Sequence, residues 1–197
     1  TSASTPITGP SGARIALIQD LRRGLQRNEL RLHYQPKLRA PDGPVIGVEA
    51  LVRWQHPQRG LIMPGDFIAL AERSGLIIEL GRWVLDEACR QLAQWRTQGL
   101  EVQSVAVNLS PNQFHSDQLY QDVAQALRRH GLPASALVLE ITESMAMHDA
   151  EASLAILQRL VEMGVSISID DFGTGYSSLL YLKKLPASEL KIDRGFV

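Results

Sequence analysis

Apolar residues at helical spacing open the chain. Ile15, Leu17, Ile18, Leu21 and Leu25 recur every three or four positions, with Gly24 and Asn28 near the end of the run, so a first helix is expected there. The period then changes. Leu30, Leu32 and Tyr34 alternate with Arg31, His33 and Gln35, the two-residue repeat of a strand, and Pro41-Asp42-Gly43-Pro44 reads as the turn that follows. A second strand is expected over roughly residues 45–52. Beyond Pro64-Gly65-Asp66, one face of a long helical region carries Leu80, Trp83, Val84, Ala88, Leu92 and Trp95. Gly99 closes it, and both tryptophans are assigned to the core.

From that point strand-like runs near residues 102–109, 137–141, 165–169 and 189–192 are separated by helical stretches. One stretch is built on Leu119, Val123, Ala126 and Leu127, another on Leu154, Leu157, Leu160 and Val161, and a shorter third on Leu179, Leu180 and Leu182. Strand and helix in alternation predict a parallel sheet with helices outside it.

Parity along each strand sorts the side chains into two faces. Val165, Ile167 and Ile169 share one face, which should meet the helices, while Ser166, Ser168 and Asp170 share the other. Asn108 is in step with Ala106 and Ser104, and Glu49 with Gly47, Leu51 and Arg53. Asn108, Glu140 and Asp170 fall at or near the C-terminal ends of their strands, and Lys191 near the end of the last one. Parallel α/β barrels carry their active sites at that rim, where several strands can aim side chains at one point. A lone strand-end carboxylate is more often a helix cap or a surface pair. Glu49, Asn108, Glu140, Asp170 and Asp171 together form a convergent set of hard oxygen donors, harder to dismiss than any one of them alone.

Composition narrows the classes. With 45% hydrophobic and 21% charged residues the chain is a folded domain rather than a disordered one, and 197 residues fall short of the roughly 250 typical of a complete (β/α)₈ barrel. Twenty basic against 21 acidic residues give no general attraction to a nucleic-acid polymer, so a phosphate-bearing ligand must be held by local groups. The single cysteine, Cys89, excludes a disulfide framework, suggests a reducing compartment and reads as a buried spectator. Residues 1–12, TSASTPITGPSG, read as a linker, leaving residues 13–197 as the domain. No apolar stretch approaches the roughly 18 residues of a membrane span, so no direct membrane insertion is expected. His33, His56, His115, His130 and His148 show no paired metalloprotease spacing and are taken as structural or surface residues. Ser110 and Ser177 lack a Gly-x-Ser-x-Gly context, and the Gly173 and Gly175 turn lacks the Lys-Ser/Thr ending of a Walker motif.

Five ordered motifs carry a resemblance. Glu49-Ala50-Leu51-Val52-Arg53-Trp54 is followed by VAVNLS (residues 105–110), LEITES (139–144), DDFGTGYSS (170–178) and LKIDR (190–194). In this order they resemble the EAL-domain phosphodiesterases that act on cyclic di-GMP. The resemblance implies an α/β fold, a (β/α)₈ TIM-like barrel of the EAL type, usually with one antiparallel strand, incomplete here with about six strands. It implies linearisation of cyclic di-GMP to pGpG with Mg²⁺ or Mn²⁺, Ca²⁺ being inhibitory. Carried over by residue, Glu49, Asn108, Glu140 and Asp170 would hold a first metal, and Asp170 would bridge to a second that Asp171 also binds. Lys191 would orient the attacking water or stabilise charge on it, and thus joins Glu49 and Asp171 in the catalytic set. Arg53 would meet a ligand phosphate and Gln35 would add a weaker substrate contact. Glu143 would anchor the loop over residues 171–178.

The family places a further glutamate on a seventh strand and a glutamine beyond it, and neither has a counterpart before Val197. The alternative is therefore a non-catalytic cyclic di-GMP receptor or an interaction module. The resemblance also implies a cytoplasmic domain and an upstream regulatory domain, and leaves a homodimer open.

Overall fold

The computed structural model describes residues 10–39, 43–172 and 183–192. Helix α1 spans Pro10–Gln26 and is followed by the strands β1 (Leu30–Leu38), β2 (Val45–His56) and β3 (Gly60–Ile62). Two helices come next, α2 (Pro64–Ser74) and α3 (Leu76–Thr97). Then follow β4 (Ser104–Asn108), the short α4 (Pro111–Phe114), α5 (Leu119–Arg129) and a 3₁₀ turn at Ala134–Ala136. The remainder is β5 (Leu137–Thr142), α6 (Glu143–Met147), α7 (Ala150–Met163), β6 (Ser166–Phe172) and β7 (Glu189–Ile192).

The strands form one sheet in the order β1-β2-β4-β5-β6-β7, with β3 hairpinned onto the end of β2. β1 and β2 are antiparallel and every later pair along that path is parallel. The expected α/β alternation with one antiparallel strand is thus realised. Side-chain parity divides the sheet as the sequence implies. Val105, Val107, Leu137, Leu139, Ile141, Ile167 and Ile169, all at most 1% exposed, face the helices and join Leu80, Leu85, Ala88, Leu92, Val123, Leu157 and Leu160 in one core. Burying an aliphatic side chain of this size stabilises the fold by about 1.5–3 kcal/mol. The opposite face is left to polar and small groups.

Several expectations are corrected. The long helical region is two helices, because Gly75 adopts a left-handed φ of 76° and serves as the end of α2 and the start of α3. Trp83 and Trp95 are half-buried at the margin of the core, and the fully buried tryptophan is Trp54, whose indole N–H donates to Glu29 at 3.1 Å. Helix α1 already begins at Pro10, since proline lacks only an N–H that the first turn leaves unpaired anyway. Ser110, which lacks a nucleophile's sequence context, starts α4 through a capping box. Its hydroxyl accepts from the Gln113 backbone N–H, while the Gln113 side chain accepts from the Ser110 N–H. The short helix on Leu179, Leu180 and Leu182, and Ser177, Gly173 and Gly175, lie outside the described residues, as does part of the turn at residues 41–44.

Two outcomes follow from this packing. A Cβ on Gly81, in the middle of α3, would stand 1.5 Å from Gln113 Nε2, so Gly81→Ala displaces the buried Gln113 side chain and breaks the capping box. Although alanine is the better helix former, urea unfolding should show a loss of about 1–3 kcal/mol, the usual range for overpacking. Cys89 is wholly buried, and burial pushes its thiol up to about 12. The native chain should therefore resist Ellman's reagent at pH 8 and react only once denaturant is added; rapid native labelling would contradict the spectator reading.

Candidate metal and active site

The polar face of the sheet holds a cavity of about 700 Å³ lined by Gln35, Lys37, Glu49, Asp170, Asp171, Glu189 and Lys191 among others. Glu49 enters it from β2 and pairs in register with Ala106 of β4, which places Asn108 one pleat further along. Asn108 pairs with Glu140 of β5, and Glu140 with Ser168 of β6. Lateral neighbours in a sheet share a face, so these registers alone bring residues 49, 108, 140 and 168 to one side.

The side chains then connect. Asn108 donates its amide N–H to Glu49 Oε1 at 2.8 Å. The Lys191 ammonium donates to Glu49 Oε2 at 3.2 Å and to Glu140 Oε2 at 2.5 Å, and lies 3.8 Å from Asp170 Oδ2. Three acidic side chains from three strands therefore aim at a single cation. Glu140 is only 1% exposed, and burial raises its carboxyl above the usual range despite the bonds from Lys191 and Lys37. At Glu49 burial works in the same direction, but the Asn108 bond and the Lys191 charge outweigh it and hold the carboxyl below its ordinary value. For Lys191 burial opposes the charge, while the Glu140 and Glu49 bonds win and raise it.

Other expected residues take different positions. Asp171 is exposed, with a left-handed φ of 55°, and its backbone N–H donates to Asp170 Oδ1 at 2.9 Å. Non-glycine residues rarely adopt that conformation, and here it ends the regular run of β6 at the acidic pair. Arg53 lies on the Glu49 face of β2, about 13 Å further along the strand, and donates to the Val52 carbonyl at 2.8 Å. Gln35 is exposed and directly opposite Glu49 across the β1–β2 pair. Glu143 is the first residue of α6, behind an N-cap in which the Thr142 hydroxyl accepts from the Met145 N–H, and it is 2% exposed. That burial excludes a plain surface glutamate. The loop it was expected to anchor lies beyond the described residues from position 173 onward.

Two residues in the cavity were missed from the sequence. Lys37 donates to Glu140 Oε1 at 2.8 Å and to Glu189 at 3.2 Å. Parity could have found both, since Lys37 is in step with Gln35 and Glu189 with Lys191. Of the histidines, His56 is buried beside Asp20 at 3.4 Å, and His130 lies 3.0 Å from Asp86. Both serve packing.

Among the described residues no three His, Cys, Asp or Glu side chains form a ready metal cage. The donor set nevertheless fits a hard divalent cation. Lys191 marks where a positive charge is stabilised, and the four carboxylates of Glu49, Glu140, Asp170 and Glu189 against the two ammoniums of Lys37 and Lys191 leave a formal charge of −2. Ser168 Oγ, beside Glu140 in the same register, is buried without a hydrogen-bond partner among the described residues.

A barrel-type parallel sheet with convergent acidic and amide side chains near its strand ends defines a class of α/β barrel with a polar, cation-stabilising interior. Comparison with known proteins makes it specific. The EAL domain family model matches residues 18–197, and the chain belongs to the EAL-domain family. It is 62% identical over 184 residues to the bifunctional diguanylate cyclase/cyclic di-GMP phosphodiesterase MucR of Pseudomonas aeruginosa, covering 93% of this chain and 27% of that protein. It is 47% identical over 185 residues to the oxygen sensor protein DosP of Escherichia coli, covering 93% and 23%. The chain thus spans about a quarter of the length of these curated relatives. Among solved structures, the PaMucR phosphodiesterase in complex with c-di-GMP superposes with a TM-score of 0.89 at 64% identity, over 92% of this chain and 73% of that one. The Xanthomonas citri FimX EAL domain in complex with c-diGMP gives 0.84 at 27% identity, over 94% and 72%. The fold is therefore the TIM-barrel-like EAL fold.

Lys191→Met should destabilise the metal-free chain by about 1–3 kcal/mol in urea unfolding, because it leaves the Glu140 carboxylate buried with one donor removed. An unchanged midpoint would show that the ammonium is not the cation the carboxylates depend on.

Proposed function

We propose that this chain carries the catalytic site of a metal-dependent phosphodiesterase that hydrolyses cyclic di-GMP to linear pGpG. The observation that carries the reading is the convergence of Glu49, Glu140 and Asp170 on one cationic point near the C-terminal ends of parallel strands. The relatives' printed names and the c-di-GMP complexes of the superposed structures support the substrate class.

Glu49, Asn108, Glu140 and Asp170 would hold a first Mg²⁺ or Mn²⁺, and Asp170 and Asp171 would contribute to a second. Bound there, the ions would polarise the phosphodiester and make water nucleophilic near neutral pH. Asn108 can present its amide oxygen to the ion while keeping its N–H bond to Glu49, since oxygen and nitrogen point different ways on the same amide. Lys191, at hydrogen-bonding distance from two carboxylates, would orient the attacking water and oppose the negative charge that builds on the phosphate. Arg53 suits a ligand phosphate because its planar guanidinium pairs with oxygens bidentately, and Gln35, opposite Glu49, adds a neutral donor and acceptor. Glu143 would hold the acidic loop in register. The residues ahead of helix α1 would tether the domain, which we place in the cytoplasm, to a regulatory domain.

Hydrolysis is read as pGpG formation by HPLC, in a form extended through the strands that the family places after β7. Activity is expected with Mg²⁺ or Mn²⁺ and inhibition by Ca²⁺, whose larger and looser coordination shell does not enforce octahedral geometry. No pGpG with either activating ion would overturn the reading. Glu49→Gln should lower kcat by more than the roughly 10- to 100-fold typical of residues that only support a ligand. Arg53→Ala should instead raise KM by about 10- to 100-fold, the equivalent of a charged hydrogen bond of about 1.5–3 kcal/mol. Glu143→Ala should lower both metal affinity and rate, with partial rescue by excess metal; an unchanged metal requirement would remove its anchoring role.

A further inference from the structure

Glu140 divides its two carboxylate oxygens between different partners. Oε2 meets Lys191 at 2.5 Å, at the point where Glu49 and Asp170 also converge, while Oε1 meets Lys37 at 2.8 Å. Lys191 comes from β7 and Lys37 from β1, the strands at opposite ends of the described sheet. Lys37 reaches across the interior from a position opposite Gly47, and at Gly47 a Cβ would already be 2.7 Å from Ser104 Oγ. On arrival the ammonium is clamped by Glu189 at 3.2 and 3.5 Å. Glu189 pairs with Ser168, and Ser168 with Glu140, so the two carboxylates that hold Lys37 stand on one face two strands apart.

We infer that Lys37 is a positioning residue for Glu140: it fixes Oε1 from below and leaves Oε2 alone turned toward the cation point shared with Glu49 and Asp170. The inference rests on the metal site of the proposed phosphodiesterase but assigns a residue that the site's donor set does not include. A carboxylate held at one oxygen loses the rotation about its terminal bond that would otherwise blur the donor position, and outer partners of metal ligands act in this way. Charge alone would argue for the opposite effect, because an ammonium near a metal repels it. Glu189 removes that objection by pairing Lys37 with an equal and opposite charge.

The same pairing makes the test clean. Lys37→Met combined with Glu189→Gln removes the strut without changing net charge. Mn²⁺ alone is titrated into the 197-residue chain, with free Mn²⁺ read by EPR and no nucleotide present. The double variant should bind Mn²⁺ about 10- to 100-fold more weakly than the parent while its circular dichroism spectrum is retained. Lys37→Arg, which keeps a donor toward Oε1, should restore most of the affinity, which a loss caused by packing alone would not allow. If the double variant fails to fold, Lys37→Gln decides: it is too short to reach Glu140 and leaves Glu189 unpaired, so charge alone would tighten Mn²⁺ and loss of positioning would weaken it. Affinity equal to or tighter than the parent's in the deciding variant overturns the inference, as does a parent chain that binds no Mn²⁺. A parent that binds Mn²⁺ but, in its extended form, never cleaves cyclic di-GMP removes the phosphodiesterase reading and leaves this one to stand on the titration.

Discussion

One buried carboxylate governs the interior of this domain. Glu140 is 1% exposed toward the C-terminal end of β5, and removing a carboxylate from water costs several kcal/mol unless cationic partners and hydrogen bonds replace the lost hydration. Its position is not negotiable, because Leu139 and Ile141 on either side belong to the apolar layer under the helices and parity sends residue 140 the other way. The fold therefore has to deliver positive charge to the concave face. It does so twice, with Lys191 at one oxygen and Lys37 at the other. Each lysine then accommodates a further carboxylate, Glu49 for the first and Glu189 for the second, so the polar layer grows outward from a single residue.

This layer and the hydrophobic core are two sides of the same strands. Val105 and Val107 alternate with Ala106 and Asn108, and Ile167 and Ile169 with Ser168 and Asp170. A one-residue slip in any pairing would move a carboxylate into the apolar layer and an isoleucine into the cavity, so the chemistry of the site also specifies the register of the sheet.

The same alternation explains what was legible in the sequence. Strands β4, β5 and β6, and the convergence of residues 49, 108, 140 and 170, follow from a period of two and from the ends of the runs. Where periodicity fails, so did the reading. Helices α4 and α6 are four and five residues long, too short to show a 3.6-residue repeat. Their caps were present as local chemistry, with Ser110 three residues before Gln113 and Thr142 three before Met145. The division between α2 and α3 at Gly75 keeps an apolar stripe on both sides, Phe67, Leu70 and Ala71 before it and Ile77, Leu80 and Val84 after, so the pattern reads as continuous although the axis is interrupted. Lys37 was hidden for another reason. Pro36 marks a position that donates nothing to a ladder, which draws attention away from the strand, and a lysine near a strand end is ordinarily a solvated residue. Its inward position is held by Glu140 and by Glu189, more than 150 residues away in the chain, and that coincidence exists only once the strands are paired.

Lys191 links the fold to the proposed chemistry. Its ammonium occupies the place where Glu49, Glu140 and Asp170 converge, and so suppresses the mutual repulsion of three nearby carboxylates. A divalent cation held by the same oxygens would do this with twice the charge, and both cannot stand at one point. With such an ion held by Glu49, Glu140 and Asp170, the Lys191 ammonium would stand beside it, within reach of a water or a phosphate oxygen. Two lysines set among Glu49, Glu140, Asp170 and Glu189 offset part of the repulsion between these acids, which is the condition for placing so many of them on the inner face of a stable sheet.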